Sequence, residues 1–431
     1  MYDLAVIGIG PGGLEAINLA LKHNLKVVAF EKALVGGCCL NVGCIPTKTL
    51  LHSAKTLSNV KRFSDIGLEL NGNVDFNWQK MLIRKENIVS KFRKPLEMTL
   101  SKNIDLIKSE AKIVVNRKKT LIEADNKFFE AKNIIISTGS TSKELPDLKF
   151  DHDKILSSDD LYNLKSLPKS VAIVGSGAIG LEWGYIFSSL NVETTIIEKM
   201  PNLAPNMDID VSKRLDRILK LNKIKYFKND FIVSYSDNVV TLNSLNKVQA
   251  EKILVAVGRK PVLPDVEGGE KIIINNGYET NYDNIFVAGD LKGYDMLAHS
   301  ASFDARRIVN KILFNKNYSS KLIPSVIYIT PEIASVGVKE QDINIEEYTV
   351  KKLPVASLAK AWADDSSEGF IKLITKDNLL YGASVVSNEA SSLISILNLI
   401  IEYKIPLDEV EDFIFPHPTY SEIISEVIKR G

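Results

Sequence analysis

Residues 8–32 read GIGPGGLEAINLALKHNLKVVAFEK, and residues 175–199 read GSGAIGLEWGYIFSSLNVETTIIEK. Three glycines recur at one constant offset (Gly8, Gly10, Gly13 against Gly175, Gly177, Gly180), as do a Leu-Glu pair, an asparagine and a closing Glu-Lys. Each block follows a short apolar run, Asp3 to Ile7 or Val171 to Val174, that reads as a strand, and each opens an apolar-periodic helix. A second strand follows and ends in an acid, Glu31 or Glu198. This is the strand, glycine turn, helix, strand, acid plan of a dinucleotide site. The first glycine makes the tight turn, the second lets backbone approach a pyrophosphate, and the third lets the helix pack on the sheet. The pyrophosphate then sits on the positive helix N-terminus, and the acid accepts hydrogen bonds from an adenosine ribose. One such pattern is weak, because Gly-rich turns join strands to helices for packing reasons alone. Two copies in the same context point to two nucleotide sites.

All three cysteines lie within GGCCLNVGCIPTK, residues 36–48. Cys39 and Cys44 are five positions apart at the start of a helical-looking run. In a regular helix their Cα atoms would stand about 8–9 Å apart, whereas a disulfide tolerates only about 4.4–6.8 Å. If the two are to bond, the helix must be distorted. Pro46 has no N–H for the carbonyl of Val42 and clashes with it, and Gly43 relaxes the backbone between the cysteines. A helix N-terminus also favours a thiolate. The stretch therefore reads as a redox-active pair rather than a structural one.

The chain's 431 residues predict two to four domains. A hydrophobic content of 45% and a charged content of 25% are ordinary for a globular protein. The net charge of +1 gives no reason to expect nucleic acid or an anionic membrane as partner. Cysteines this clustered are not a secreted-protein framework, and in a reducing compartment a disulfide is more often catalytic. With the first strand beginning at once, at Asp3, no signal peptide is expected, and runs such as Ile396 to Ile401 are too short to cross a bilayer. A cytoplasmic protein is expected, or one of an organelle matrix if a presequence has been removed. Polar, Gly- and Pro-bearing stretches at 141–158, 258–269 and 315–325 suggest boundaries. Between the last two, residues 280–290 read as a buried strand ending in Gly289-Asp290. From Ile323 onward short strands (325–329, 369–375, 379–386) and an apolar helix at 390–403 suggest a separate α+β domain.

A nicotinamide moves a hydride and a thiol pair moves electrons through sulfur, so linking them needs a mediator, usually a flavin. Here the cysteine stretch resembles the redox motif of the pyridine nucleotide–disulfide oxidoreductases. The resemblance extends to Ser137-Thr138-Gly139, Val257-Gly258-Arg259, Ile285-Phe286-Val287-Ala288-Gly289-Asp290, Met296-Leu297-Ala298-His299, Tyr328-Ile329-Thr330-Pro331-Glu332 and His417-Pro418-Thr419-Tyr420-Ser421-Glu422. It implies an α/β fold with two Rossmann-like three-layer domains, one for FAD and one for NAD, plus a C-terminal α+β dimerisation domain. The segments expected are 1–141 and 269–322 for the FAD-binding domain, 142–268 for the NAD-binding domain and 323–431 for the interface domain.

The resemblance also implies roles. A Cys39–Cys44 disulfide would be the redox centre, with Cys39 exchanging with substrate and Cys44 facing the flavin. Gly8, Gly10, Gly13, Glu31, Lys48, Ala111, Thr138, Gly139, Asp290, Leu297 and Ala298 would serve FAD. Gly175, Gly177, Gly180, Glu182, Glu198 and Gly258 would serve NAD, with Glu182 also pairing with Lys48. His417, held by Glu422, would take a proton from the substrate dithiol across a homodimer interface, and the His417–Pro418 bond is expected to be cis. Dihydrolipoamide, borne by lipoyl domains of a 2-oxo acid dehydrogenase or glycine cleavage system, is the expected substrate, and no metal is expected. Glu198 favours NAD over NADP, since a 2′-phosphate would meet like charge.

Plainer readings stand beside these. Lys48 alone is an exposed helix lysine, and His417 alone a C-terminal histidine among prolines. His23, His52 and His152 have no acid or cysteine at ligand spacing and read as surface or helix residues. Cys38 stands where the family usually carries Thr; it reads as a small replacement, with mispairing to Cys39 or Cys44 the alternative. Phe415 replaces a histidine that often precedes the C-terminal motif. A reductase of the glutathione type, running from NAD(P)H to a disulfide, is the nearest rival function. A flavoprotein with a binding or structural role is the rival of another class.

Overall fold

Both repeated blocks fold as their alternation dictates. The strands Tyr2–Ile7 and Val27–Phe30 pair in parallel, as do Ser170–Val174 and Glu193–Glu198, with Ile7 opposite Phe30 and Val174 opposite Ile197. Their near-continuous Val, Ile and Ala side chains are buried, as strands covered on both faces require. The helix α1 (Pro11–Lys22) starts at Gly10 with proline in its first turn, where the missing N–H costs nothing. The repeated asparagine has a physical role in each copy: Asn24 (φ 56°) and Asn191 (φ 61°) take the left-handed conformation just past the helix end.

The computed structural model describes residues 1–116, 119–275, 277–316 and 321–430, in two compact units. Residues 317–320 of the boundary stretch 315–325 lie outside the described residues. The first unit comprises 1–49, 79–143 and 258–320. Its seven-stranded sheet runs Ile274–Asn275, Glu279–Thr280, Ile285–Val287, Ala131–Ile136, Tyr2–Ile7, Val27–Phe30, Asp105–Ile107. Tyr2–Ile7 is parallel to both neighbours, so the strand order reverses at its carboxyl end, where Gly8 begins the turn. The expected single strand over 280–290 is two, Glu279–Thr280 and Ile285–Val287, joined by an Asn284 in the left-handed region. Packed on this scaffold are α2 (Gly37–Asn41), the start of α3 (Cys44–Val60) and α4 (Trp78–Asn103).

The second unit comprises 50–78, 144–257 and 321–431. It holds a parallel sheet in the order Lys225–Lys228, Glu193–Glu198, Ser170–Val174, Lys252–Val255, Ile155–Leu156, with α5 (Ala178–Ser189) as its first helix. It also holds a five-stranded antiparallel sheet, Ser325–Ile327, Glu332–Gly337, Leu379–Ser387, Phe370–Lys376, Thr349–Pro354, packed against the helix Ala390–Tyr403. Leu393, Ile394, Leu397 and Ile400 of that helix are buried, while Leu399 and Tyr403 are exposed. No helix among the described residues is long and apolar enough to cross a membrane.

Candidate active site

The two glycine turns share one geometry. Gly8 (φ +92°) and Gly175 (φ +101°) occupy the left-handed region, and an added Cβ would meet Ser137 O at 2.4 Å or Ala256 O at 2.6 Å. At Gly13 a Cβ would stand 2.1 Å from Gly8 O, and at Gly180 2.0 Å from Gly175 O, so both helices press directly on their turns. The middle glycines do the opposite. A Cβ on Gly177 would enter open space, and one on Gly10 would find only Gly37 Cα, 4.0 Å away. Neither helix start carries a side-chain cap. An uncapped helix N-terminus behind a clear backbone approach fits a dinucleotide pyrophosphate.

The two acids are fixed alike. Glu31 accepts from Ile9 N (2.8 Å) and Ala33 N (2.9 Å). Glu198 accepts from Ser176 N (2.8 Å), Ser176 Oγ (2.6 Å) and Met200 N (2.8 Å). With about two lone pairs per oxygen, Glu198 keeps acceptor capacity on Oε1 only. Glu198 is also buried, which the sequence did not disclose.

The redox stretch is a broken helix. α2 stops at Val42 (φ −141°, ψ 26°), and α3 starts afresh at Cys44 with Pro46 in its first turn. Gly43 sits in the break, where a Cβ would meet Cys38 O at 2.9 Å and Cys38 Sγ at 3.2 Å. Its carbonyl accepts from Thr47 N (3.0 Å) and Thr47 Oγ1 (2.6 Å). All three cysteines are half-buried, and Cys39 and Cys44 are in hydrogen-bonding contact. A hydrogen bond with Cys44, then burial, then the neighbouring Cys44 and Cys38 push the Cys39 thiol upward, while Lys48 pulls the other way. The loop abuts the first turn, since a Cβ on Gly37 would meet Gly10 Cα at 2.8 Å.

Two supports escaped the sequence reading. Asn41 donates to Val35 O (3.0 Å) and Gly37 O (2.9 Å), and Arg93 of α4 donates to Asn41 Oδ1 (3.0 Å). Elsewhere in the same unit, Ser140 Oγ donates to Asp290, and Arg259 donates to Ser140 Oγ (2.7 Å) and Ser140 O (2.7 Å). The only hint was that Arg259 closes the motif Val257-Gly258-Arg259 and Ser140 directly follows Ser137-Thr138-Gly139. Thr138 Oγ1 donates to Val262 O. Gly139 and Gly258 both have positive φ, with open space where a Cβ would be. Leu297 is the N-cap of the helix Ala298–Phe314, and no side chain caps it. Ala111 is buried with Ile113 and Ile122, which leaves its backbone for any contact.

In the second unit Glu182 is buried and accepts from Tyr328 N (3.1 Å). His417 Nδ1 lies 2.8 Å from Glu422 Oε1, and Glu422 Oε2 accepts from Thr419 N (2.7 Å). The His417–Pro418 bond is cis. The imidazole is 77% exposed against 25% for Glu422, so the acid is the anchor and the ring projects outward. Those two interactions with Thr419 and His417 hold the Glu422 carboxyl below its ordinary range. Phe415 packs on the C-terminal core and meets Phe413 edge to face. His152 lies at the surface, as read, and its Nδ1 stands 2.9 Å from Asp160 Oδ1, an acid eight residues on that a turn brings back. Asp208, Asp210 and Glu340 are close enough to share a cation, and the buried Lys372 ammonium already stands among them.

Comparisons with known proteins agree with this geometry. The family model described as pyridine nucleotide-disulphide oxidoreductase matches residues 2–305, and that of its dimerisation domain matches 323–428. Dihydrolipoyl dehydrogenase of Mycoplasma genitalium is 32% identical, covering 100% of this chain and 98% of its own. That of Bacillus subtilis is also 32% identical, covering 99% and 97%. The crystal structure of LpdA from Mycobacterium tuberculosis, 23% identical, superposes with a TM-score of 0.89 over 99% of both chains and shows the same fold. Paired dinucleotide turns, a thiol pair in a helix break and matches along nearly the whole length lead to one assignment: the chain, with FAD and NAD(H) as its cofactors, belongs to the pyridine nucleotide-disulphide oxidoreductases.

Proposed function

We propose that the protein is a dihydrolipoamide dehydrogenase, oxidising dihydrolipoamide to lipoamide through Cys39 and Cys44 and passing the electrons to NAD⁺. The observation that carries this reading is the Cys39–Cys44 contact, in a helix break built against the Gly8–Gly13 turn. In this reading residues 1–141 and 269–322 form the FAD domain, 142–268 the NAD domain and 323–431 the dimer-forming domain. Gly8, Gly10, Gly13 and Glu31 would hold the adenosine diphosphate half of FAD, and Asp290, steadied by Ser140 and Arg259, its ribityl chain. Lys48 and the helix start at Leu297–Ala298 would face the flavin ring. Gly175, Gly177, Gly180 and Glu198 would hold NAD. Bound FAD supplies the two-electron carrier between the thiols and the nicotinamide.

The rest is done by the chain's own side chains. His417, supplied by a second copy of the chain, takes a proton from one substrate thiol, while Glu422 fixes the ring and steadies its positive charge. The substrate thiolate attacks Cys39 of the oxidised pair, and the Cys39–Cys44 bond breaks to leave a Cys44 thiolate at the start of α3. The second substrate thiol attacks the substrate sulfur of that mixed disulfide. Lipoamide leaves, and Cys39 recovers a proton. The substrate has lost two electrons and the protein pair has gained them. Lipoyl domains of a 2-oxo acid dehydrogenase or glycine cleavage system would carry the substrate, in the cytoplasm or an organelle matrix.

Anaerobic titration of the flavin-loaded protein with dihydrolipoamide tests the reading. A long-wavelength thiolate–flavin band should grow and added NAD⁺ should then be reduced; a flavin spectrum unmoved by excess dithiol rejects it. Because Glu198 repels a 2′-phosphate, KM for NADH should lie far below that for NADPH, and equal efficiency would remove the preference.

A further inference from the structure

The helix α4 carries seven Lys and Arg against two Glu, in a chain whose net charge is only +1. At about 100° per residue, Lys80, Arg84, Lys91, Lys94 and Lys102 fall within about 40° of one line along its 26 residues. All five are exposed. At 1.5 Å per residue the stripe runs about 33 Å. Both acids of the helix lie about 100–120° off that line and have other partners. Glu86 pairs with Arg93 (2.9 Å) and Lys85 (3.2 Å), and Glu97 pairs with Lys108. The inward side of the helix is tied to the redox segment. There Arg93 holds Asn41 of α2, and Arg84, itself a member of the outer row, also donates through Nη1 to Thr49 O of α3 (3.1 Å). α4 therefore braces the redox segment through Arg93 and Arg84, while Lys91, Lys94 and Lys102 continue the row of cations on its exposed side.

We propose that this row is the docking surface for an acidic carrier protein that brings the dithiol on a tethered arm; the inference rests on the proposed dihydrolipoamide activity and names how that substrate arrives. Charge complementarity selects the partner. A second copy docking here about a two-fold axis would set like charges against each other. A near-neutral chain lacks the broad positive field that nucleic acid binding draws on. A carrier seated on α4 would stand beside the helices that bear Cys39 and Cys44, and steering by opposite charge would raise its encounter rate.

The test compares kcat/KM for free dihydrolipoamide with that for a reduced lipoyl group on a small acidic lipoyl domain. The flavin-loaded enzyme is used as wild type and as the double variant Lys91→Glu/Lys94→Glu. For the wild type, raising salt from about 50 to about 300 mM should lower the carrier value about tenfold, as screening shortens the reach of the charges. The variant at low salt should lose about as much on the carrier and keep its activity on the free dithiol. Carrier kinetics indifferent to both salt and substitution overturn the docking alone. A wild type inert towards both substrates overturns the proposed activity and the docking with it. Carrier kinetics that depend on salt yet ignore the substitution place the docking elsewhere and overturn it; should the double variant misfold, Lys91→Gln/Lys94→Gln is read in its place.

Discussion

Alanine at Gly13 and alanine at Gly180 are the same perturbation applied to two turns, and they should disable different cofactors. In each case the new methyl would lie near 2 Å from a backbone carbonyl, 2.1 Å from Gly8 O or 2.0 Å from Gly175 O. No side chain can swing away, so the helix and its turn must part by about 1 Å. Overpacking of this kind costs about 1–3 kcal/mol, occasionally more. Replacing glycine by alanine inside a helix returns only about 0.5–1 kcal/mol. The net strain falls on the turn that meets the pyrophosphate, and each 1.4 kcal/mol there is about a tenfold change in affinity. Gly13→Ala should therefore leave with substoichiometric flavin after dialysis, measured as flavin absorbance per protein. Gly180→Ala should keep its flavin, keep flavin reduction by dihydrolipoamide, and show KM for NAD⁺ raised about 10–100-fold. A Gly180→Ala protein that sheds flavin while binding NAD⁺ normally would show that the two turns have been assigned the wrong way round.

Four further outcomes are expected. Gly43→Ala would press a methyl within 2.9 Å of Cys38 O and part the thiols; dithiol-driven flavin reduction should slow at least tenfold with flavin content intact, and an unchanged rate would refute it. Asn41→Ala strands the carbonyls of Val35 and Gly37 at a cost of about 1–3 kcal/mol and should slow the same half-reaction, with Arg93→Lys milder than Arg93→Ala; no effect would detach this brace from the redox step. Glu422 has a carboxyl depressed below its ordinary 4.5, so its contribution to stability is present above that pH and fades as pH falls through the folded value. The stability gap between wild type and Glu422→Gln should narrow below about pH 4.5, and a gap constant to pH 3 contradicts the pairing. Oxidised protein unfolded in denaturant should titrate one thiol per chain, at Cys38, and a mapped Cys38–Cys39 or Cys38–Cys44 bond would establish mispairing instead.

The dinucleotide turns were legible because each rests on local chemistry. Glycine spacing, strand hydrophobicity and a closing acid are all written within 25 consecutive residues. The broken redox helix was legible for the same reason, since Gly43 and Pro46 sit where the break must come. What could not be read was contact at long range. Ser140 lies 119 residues from Arg259 and 150 from Asp290, and nothing in either neighbourhood says that one hydroxyl serves both. Arg93 reaches Asn41 across 52 residues in the same silent way. Glu198 was recognised by position, yet its burial depends on how the segment after its strand folds back, with Ala204 N donating to Ser176 Oγ at 3.0 Å. The Asp160 partner of His152 is not written in the spacing, because the chain turns on Asp151, which accepts from the amides of Asp153, Lys154 and Ile155.

The helix break also explains why two adjacent sulfurs can have different duties. A continuous helix would hold residues 39 and 44 too far apart to exchange, whereas a wide loop would leave neither sulfur in a defined field. Here Cys39 is the third residue of the short α2, braced by Asn41 and Arg93, and its thiol is pushed up by Cys44 and by burial. Cys44 opens a 17-residue helix whose N-terminal amides favour negative charge. The two sulfurs thereby sit in different surroundings, one on each side of the break. That difference suits Cys39 to meet an incoming thiolate while Cys44 departs as the anion at a helix start. It follows from three residue choices, Gly43 to permit the break, Pro46 to enforce it and Asn41 to hold the short helix against it.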